Sequence, residues 1–350
     1  MKILINRRPL YDSPYGGGNN FVKAFCELAI QAGHQIVHEF EDNIDVLLVL
    51  NTRLSPNFVS WQEMISYKEL HTNCKLITRV NDCDERNGAF GADLAYSVLL
   101  PRCDATIFVS SWMKNYTLKE NVSCQNNHVI YNGVDKSIFK PNVKINNGKI
   151  NIVTHHWSDN ELKDGGLNKF LDNFIWKHMS EFTFNHIGRT KYYSMIHSPN
   201  FADANRCGWG SQCIDEFGQL YLCTEQEKSN KKKCIHGNDI IDYLQFSIDY
   251  KSPMYGQALG NELGRYDVYI SNSYADPGPN HCLEAISCGL PVYVSASGGG
   301  AVELAGADHT FKDFSELETI LLKKDFKQNS TKLNSWEDCI SSYLKVIENL

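Results

Sequence analysis

Short apolar runs recur along the first 140 positions, and the stretches between them carry apolar residues at helical spacing. The segment from Phe21 has this helical period and ends at Gly33, and further helices are predicted at 89–101 and 112–119. Strands that are apolar throughout and separated by helices predict a parallel sheet covered on both faces. The predicted strands are KILIN at 2–6, DVLLVL at 45–50, CKLITRV at 74–80, ATIFVS at 105–110 and NHVIYNGVD at 127–135.

A segment rich in proline, asparagine and glycine, KPNVKINNGK at 140–149, interrupts this alternation and predicts a domain boundary. The alternation then starts again, which predicts a second doubly wound sheet. We therefore expect an α/β protein with one Rossmann-like domain at 1–145 and another at 150–334. An amphipathic helix at 335–350 is expected to pack back on the first domain. The second domain has predicted strands INIVTHH at 150–156, FTFNHIG at 182–188, DVYISNS at 267–273 and PVYVS at 291–295, and helices near 166–176, 254–264 and 281–288.

One segment, at about 194–250, is longer than a connection between a strand and a helix should be, and it predicts an insertion in the second domain. Its cysteines and histidine could ligate zinc, but their spacing lacks the paired knuckles of structural zinc sites. A small hairpin-rich subdomain with incidental cysteines is the favoured interpretation. The residues concerned are Cys207, Cys213, Cys223, Cys234 and His236.

The composition limits the possible classes of protein. A formal net charge of -7, with 42% apolar and 21% charged residues, is typical of a globular chain, and 350 residues suit two domains of about 150 each. The basic run KSNKKK at 228–233 is short, so no nucleic-acid partner is indicated. The N-terminus lacks a signal-peptide pattern, and no apolar run approaches the roughly 18 residues of a membrane span, so we expect a cytoplasmic protein with reduced cysteines.

The segment ADPGPNHCLEA at 275–285 follows a predicted strand and opens a predicted helix. The free amides and positive dipole end of that helix, near Asn280, would face the carboxyl edge of the sheet and favour a diphosphate. Glu284, one turn further on, could accept hydrogen bonds from two ribose hydroxyls, and Asp276 could hold hydroxyls of a transferred sugar. Alternatively, Asp276 only caps the turn and Glu284 is a first-turn acid stabilised by the dipole.

Three segments carry a resemblance to a known family: ATIFVSSWMKNYTL at 105–118, HVIYNGVDKSIFKP at 128–141, and 275–304, which includes the acid-x7-acid motif. They are similar to the large family of retaining GT-B glycosyltransferases, the family 4-like "glycosyl transferases group 1". The resemblance covers 1–190 and 252–350. It implies two Rossmann-like domains facing a central cleft, and transfer of a sugar from a nucleotide-diphosphate donor to an acceptor hydroxyl with retention of configuration.

The resemblance also implies roles for particular residues of the second domain. Glu284 matches the glutamate that binds ribose, and Asp276 occupies the place of the first glutamate, which contacts the donor sugar. Aspartate is one methylene shorter, so this contact is expected to be altered. Backbone amides around Gly278, Asn280 and His281 would meet the sugar and phosphates.

The segment THHWSDNELKDGG at 154–166 resembles the family's Arg-x4-Lys-Gly phosphate loop. Lys163 matches the lysine, and the adjacent glycines permit close approach of the backbone. The arginine is absent, and His155, His156 or Arg189 is expected to take its place. Each histidine could instead be a strand-end residue bonded to the backbone.

The first domain contributes the segments YGGGNNF at 15–21 and RVNDCDER at 79–86. The resemblance places Gly17 and Gly18 against donor phosphate and acceptor, although a plain tight turn would also use them. Asp82 follows a buried strand and could orient or deprotonate the acceptor hydroxyl. In retaining members of the family the departing phosphate is thought to accept that proton itself.

Neither a metal nor a cofactor is expected, because a diphosphate held by a lysine and by the free amides of a helix does not need a cation. The glycine turn SGGGAVEL at 297–304 is interpreted mainly as backbone packing beside the donor, with Glu303 near the start of a helix. Two alternatives stay open: a nucleotide-sugar epimerase of the same architecture, and a non-catalytic protein that binds a nucleotide-sugar.

Overall fold

The computed structural model describes residues 1–11, 16–53, 58–88, 90–120, 122–158, 160–190, 212–214, 220–222 and 248–350. The amino-terminal half forms a six-stranded parallel sheet with the order β2-β1-β3-β4-β5-β6. Its strands are β1 (Lys2–Ile5), β2 (Gln35–Val37), β3 (Val46–Val49), β4 (Lys75–Val80), β5 (Ala105–Phe108) and β6 (Asn127–Val129). Its helices are α1 (Gly17–Gln31), α2 (Trp61–Leu70), α3 (Asp84–Asn87), α4 (Ala92–Leu99) and α5 (Ser111–Thr117).

The carboxyl-terminal half forms a second six-stranded parallel sheet with the order β11-β8-β7-β12-β13-β14. Its strands are β7 (Ile150–His156), β8 (Phe182–Gly188), β11 (Ile248–Lys251), β12 (Val268–Ser271), β13 (Val292–Ser295) and β14 (Thr310–Phe311). The helices that follow β7 are α6 (Glu161–Asp164), α7 (Leu167–Lys177), α8 (Gly256–Leu263), α9 (Asn280–Ser287), α10 (Gly300–Ala305), α11 (Phe314–Lys323) and α12 (Trp336–Glu348). The predicted fold class of two doubly wound sheets is confirmed.

A short antiparallel pair, β9 (Gln212–Ile214) and β10 (Leu220–Leu222), falls within the segment predicted as an insertion. The side chains of the candidate zinc ligands in that segment lie outside the described residues. Within the described residues, no helix is long and apolar enough to cross a membrane.

The single helix predicted at 89–101 is shorter in the structure, and α3 precedes it. Gly88 ends α3 with a φ of 59°, and Gly91 precedes α4 with a φ of 116°. Because the left-handed region favours glycine, these two residues allow the chain to turn between the helices. A short 3-10 turn, Leu100–Arg102, follows α4.

The last helix, α12, completes the hydrophobic core of the first domain. The rings of Tyr343 and Phe21, which belongs to α1, have centroids 4.8 Å apart, and Tyr343 and Ile347 are buried. The chain reaches this position by crossing Gly133, where a Cβ atom would lie 2.5 Å from the carbonyl oxygen of Ser335. The final helix therefore ties the end of the chain to the first domain, and burial of Tyr343 alone contributes on the order of 2 kcal/mol.

Candidate active site

A cavity of about 1230 Å³ lies between the two sheets and is lined by residues of both domains. The strands of a doubly wound sheet present their following loops at the carboxyl edge, so the polar residues of several loops meet there. Most of the residues predicted from the sequence line this cavity. They are Gly17, Gly18, Asp82, His156, Lys163, Asp276, Gly278, Asn280, His281 and Glu284.

Helix α9 begins at the cavity. Its first residue follows Pro279, and no side chain of the described residues caps the helix. The Oδ1 atom of Asn280 accepts a hydrogen bond of 2.8 Å from Asn132 of the first domain. A Cβ atom on Gly17 would lie 2.7 Å from Cγ of Asn280, so glycine permits the close approach of α1 to α9. Pro279, Asn280 and His281 line the cavity, so the uncapped amino end of α9, although it packs against α1, borders the space between the domains, where it favours an anion.

Glu284 lies one turn into α9 and is 8% exposed. Its Oε2 atom is 2.9 Å from Nε2 of His155, at the end of β7. No described residue hydrogen-bonds its Oε1 atom, which leaves that oxygen as an acceptor for a ligand in the cavity. His155 therefore fixes the carboxylate, and its own Nδ1 atom has no partner among the described residues.

Asp276 is paired with an arginine from the opposite domain. Arg86, on α3, donates from Nη2 to Oδ2 of Asp276 at 2.8 Å, and both side chains are about nine-tenths buried. Nε2 of His281 lies 3.6 Å from the same oxygen. Burial opposes ionisation of Asp276, but Arg86, His281 and Lys163 outweigh it and hold the pKa of this carboxyl well below its usual range.

The loop that carries Asp276 rests on the glycine turn before α10. The amide of Gly300 donates to the carbonyl oxygen of Asp276 at 2.8 Å, and the amide of Asp276 donates to Gly298 at 3.1 Å. A Cβ atom on Gly300 would lie 2.5 Å from the carbonyl oxygen of Pro277. The turn is therefore used for backbone packing, as the sequence predicted.

Lys163 lies on α6 with its Nζ atom 5.1 Å from the ring centroid of Trp157. Burial, followed by the charge of Arg86, lowers its pKa to about 8. A lysine with this pKa is still largely protonated at neutral pH. It can stabilise negative charge on a bound phosphate.

Three histidines of the second domain lie close together. The ring of His156 is 5.2 Å from that of His281 and 6.1 Å from that of His186. Burial, with a further contribution from the neighbouring histidines, lowers the pKa of His156 well below its ordinary value. His156 is thus a neutral hydrogen-bonding group at neutral pH, and Lys163 and Arg86 supply the positive charge. The described residues contain no group of three or more His, Cys, Asp or Glu side chains arranged to hold a metal ion.

Two residues predicted for the site, Asp82 and Arg189, are not placed to take the roles expected from the sequence. Asp82 lines the cavity, but its Oδ2 atom accepts a hydrogen bond of 2.6 Å from Nε of Arg53, and its Oδ1 atom accepts from the amide of Cys83 at 2.9 Å. Arg189 is exposed and is not among the residues that line the cavity. Its position as a phosphate ligand is therefore not supported by the geometry of the described residues.

Sequence reasoning missed Arg86 and the role of Glu303. The carboxylate of Glu303 on α10 accepts hydrogen bonds from the backbone amides of Ser111 and Trp112. It also accepts one from the hydroxyl of Tyr131, at 2.7 Å. It therefore caps α5 of the opposite domain. A signal for Arg86 existed, because it follows Asp82 in a segment at the carboxyl end of a strand. This position in the sequence did not show that Arg86 would pair with Asp276.

Two facing Rossmann-like domains with a ligand-sized cleft define the GT-B fold, which is also the fold of the similar solved structures. The chain is similar to the galactosyltransferase WaaB of the lipopolysaccharide outer core, with a TM-score of 0.62, 10% identity and coverage of 100% and 99% of the two chains. It is similar to Alr3699/HepE of Anabaena in complex with UDP-glucose, with a TM-score of 0.58, 13% identity and coverage of 100% of this chain and 98% of that one. It is also similar to the sucrose-phosphate synthase of Thermosynechococcus elongatus, with a TM-score of 0.58, 13% identity and coverage of 99% of this chain and 96% of that one.

No family model matches the sequence, and no curated protein matches it in a sequence search. The likeness is therefore structural, and at this identity it establishes the fold alone.

Proposed function

We propose that this chain is a glycosyltransferase that moves a sugar from a nucleoside-diphosphate sugar to an acceptor hydroxyl with retention of configuration. The observation that carries the proposal is the position of Glu284. This carboxylate lies one turn into an uncapped helix, is held at 2.9 Å by His155, and faces the cavity that also contains Lys163 and Asp276. One of the similar structures is a complex with UDP-glucose, which supports a donor of this class.

In the proposed mechanism, Glu284 accepts hydrogen bonds from the ribose hydroxyls, and the amino end of α9 and Lys163 bind the diphosphate. Asp276, with Arg86, orients the hydroxyls of the donor sugar. When the bond between the anomeric carbon and the phosphate oxygen breaks, the diphosphate gains negative charge, which Lys163 and the α9 amides stabilise. The acceptor oxygen bonds to the anomeric carbon on the face that the diphosphate leaves, and its proton passes to a phosphate oxygen.

The bond between Asp82 and Arg53 supports this route for the proton. A general base needs an available oxygen of suitable basicity near the acceptor hydroxyl. In Asp82 one oxygen is bound to an arginine and the other to a backbone amide. We therefore propose that Asp82 holds Arg53 in place in the part of the cavity wall that the first domain forms, and that it is not the general base.

A thermal-shift screen with UDP, ADP and GDP sugars tests the proposal. A ligand at about 100 times its dissociation constant adds roughly 2.7 kcal/mol to the free energy of unfolding. Glu284→Ala should lose this stabilisation, and Glu318→Ala, a change on α11 outside the cavity, should keep it. If none of the nucleotides stabilises the protein, or if both variants respond like the parent, the proposal is wrong.

The cluster of His156, His281 and Asp276 favours the epimerase as a second candidate, because acids and histidines in one cavity can move protons to and from a sugar. The two activities are distinguished by incubating the protein with the donor found in the screen, in deuterium oxide and without an acceptor. A transferase releases nucleoside diphosphate slowly and leaves the sugar unlabelled. An epimerase introduces deuterium into the sugar, and a protein that only binds the nucleotide does neither.

A further inference from the structure

The arginines of the first-domain wall fall into two groups. Arg53 and Arg86 each face a carboxylate, at 2.6 Å from Asp82 and 2.8 Å from Asp276. Arg7 and Arg79 also line the cavity, but neither forms an ion pair with any described residue. Arg79 is buried and Arg7 is half-buried. A buried positive charge without a counter-ion is costly, so this second group suggests a ligand of opposite charge.

Arg7 follows β1 and lies against the start of α1. A Cβ atom on Gly18 would lie 2.8 Å from Nη1 of Arg7, so the glycine leaves room for the guanidinium at this point. Burial, followed by the charge of Arg79, lowers the pKa of Arg7 from its ordinary value. The two arginines are therefore near enough to repel each other.

Arg79, on β4, is 2% exposed. Its guanidinium lies 4.2 Å from the ring centroid of Phe21 and donates from Nη2 to Asn132 at 2.8 Å. These partners are neutral and do not compensate the charge. Its buried Nε atom has no hydrogen-bond partner within the described part of the chain.

The amino end of α1 adds to the positive potential. This helix has 15 residues and no acidic residue in its first turn, and no side chain in the described part of the chain caps it. Gly17 and Gly18 of its first turn line the cavity. Helix amino ends of this kind favour anions, and here the end lies beside a guanidinium.

We propose that Arg7, Arg79 and the amino end of α1 bind an oxyanion, a phosphate or carboxylate, carried by the acceptor substrate. The assignment to the acceptor rests on the proposed function, in which the donor diphosphate occupies the second-domain wall at Lys163 and α9. Both arginines follow or end strands of the first domain, but the amino end of α1 also lies close to Asn280 of α9, so competition with UDP distinguishes an acceptor anion from the donor diphosphate. Two guanidinium groups can give an oxyanion several charge-assisted hydrogen bonds.

The test uses inorganic phosphate as the probe, with binding followed by calorimetry on the full chain, first alone and then with UDP at saturation. We expect phosphate to bind in both conditions. Arg7→Gln should weaken phosphate binding at least tenfold and leave the affinity for UDP unchanged. Arg8→Gln is the matched control, because Arg8 is the next residue, is exposed and pairs with Glu39 at the surface.

Three results would overturn the inference: exclusion of phosphate by UDP, loss of UDP affinity in Arg7→Gln, or phosphate binding by Arg7→Gln equal to that of the parent. The first two would assign the arginines to the donor diphosphate. If UDP does not bind at all, the proposed function fails, but the titration without nucleotide still tests the oxyanion site. Arg79→Lys, which keeps the charge, is a second variant that should bind phosphate more weakly than the parent.

Discussion

Asp276 and Glu284 lie on the same wall of the cleft and are buried to the same extent, at 7% and 8% exposed, but their partners belong to different domains. Glu284 is bound by His155 of its own domain, whereas Asp276 is bound by Arg86 of the opposite one. The loop around Asp276 makes further contacts across the cleft: Ser110 donates to the carbonyl oxygen of Pro277 at 2.6 Å, and Asn132 donates to that of Gly278 at 3.2 Å.

This difference divides the proposed donor site into two parts. The part that would hold the ribose is complete within the second domain. The part that would hold the sugar acquires its arginine only when the domains are together. We therefore expect the nucleotide to bind before closure and the sugar to be recognised after it, which also restricts reaction with water to a closed and protected site.

The largest expected effect is that of Arg86→Ala. The change leaves the buried carboxylate of Asp276 without its arginine, and breaking such a pair lowers the free energy of unfolding by about 3 kcal/mol. Glu284→Gln keeps a hydrogen-bonding group beside His155 and should cost less than about 1 kcal/mol. Urea unfolding at neutral pH measures both.

The double variant with Asp276→Asn is the control for this prediction. It removes the unpaired charge and should unfold at a higher urea concentration than Arg86→Ala alone. Equal losses in Arg86→Ala and Glu284→Gln would contradict the distinction between the two acids.

A smaller effect is expected from Glu303→Gln. The carboxylate of Glu303 caps α5 across the cleft. Glutamine at this position would keep only one of the two acceptor oxygens and would carry no charge. We expect a loss of about 1 kcal/mol and a larger radius of gyration in X-ray scattering, because the domains separate more readily. Glu316→Gln, which changes an exposed acid on α11, should alter neither the radius of gyration nor the binding of nucleotide.

These contacts also show where sequence reasoning succeeded and where it could not. The order of strand, loop and helix at 267–288 places Asp276, Asn280 and Glu284 at the carboxyl edge of the sheet, and that placement depends only on local pattern and the rules of doubly wound sheets. Arg86 and Asp276 are 190 positions apart. Their pairing depends on how the two domains meet, which no periodicity encodes.

The separation of α3 from α4 is a different kind of case. The sequence predicted one helix at 89–101, whereas the structure has the shorter α4 within that range and an additional helix, α3, before it, and the two are separated by glycines with positive φ. Gly88 and Gly91 were visible in the sequence as turn signals, so this boundary could have been predicted. It matters for the site, because α3 carries Arg86.

A pH titration of nucleotide affinity tests the role of Lys163. Since its pKa is about 8, its charge is lost as the pH rises through 8, and the affinity for the diphosphate should fall about fivefold between pH 8 and pH 9. Arg86→Gln removes a positive charge that lowers this pKa, so the loss of affinity should move to higher pH. Lys163→Arg keeps its charge and should give a flat profile.

The unliganded protein should respond to pH in the opposite sense. The unfolded chain keeps the lysine proton up to an ordinary pKa of 10.5, whereas the folded chain releases it near 8. The unfolded state thus binds more protons between these values, so the contribution of Lys163 makes the free energy of unfolding rise with pH across that window. A parent profile identical to that of Lys163→Arg would show that this lysine does not titrate there.

The smallest expected effect is that of Asp82→Asn, which extends the comparison to the first domain. Like Glu284, Asp82 is bound by a side chain of its own domain, Arg53, at 2.6 Å, so this contact does not depend on closure of the two domains.

A general base contributes about 10²- to 10⁴-fold to the rate, whereas a residue that positions the cavity wall contributes much less. We expect the release of nucleoside diphosphate from the donor, with water as acceptor, to fall less than about threefold in Asp82→Asn. Asp276→Asn, at the closure-dependent part of the site, should reduce it far more. A hundredfold loss in Asp82→Asn would make this residue the base, and the acceptor proton would then pass to the protein and not to the departing phosphate.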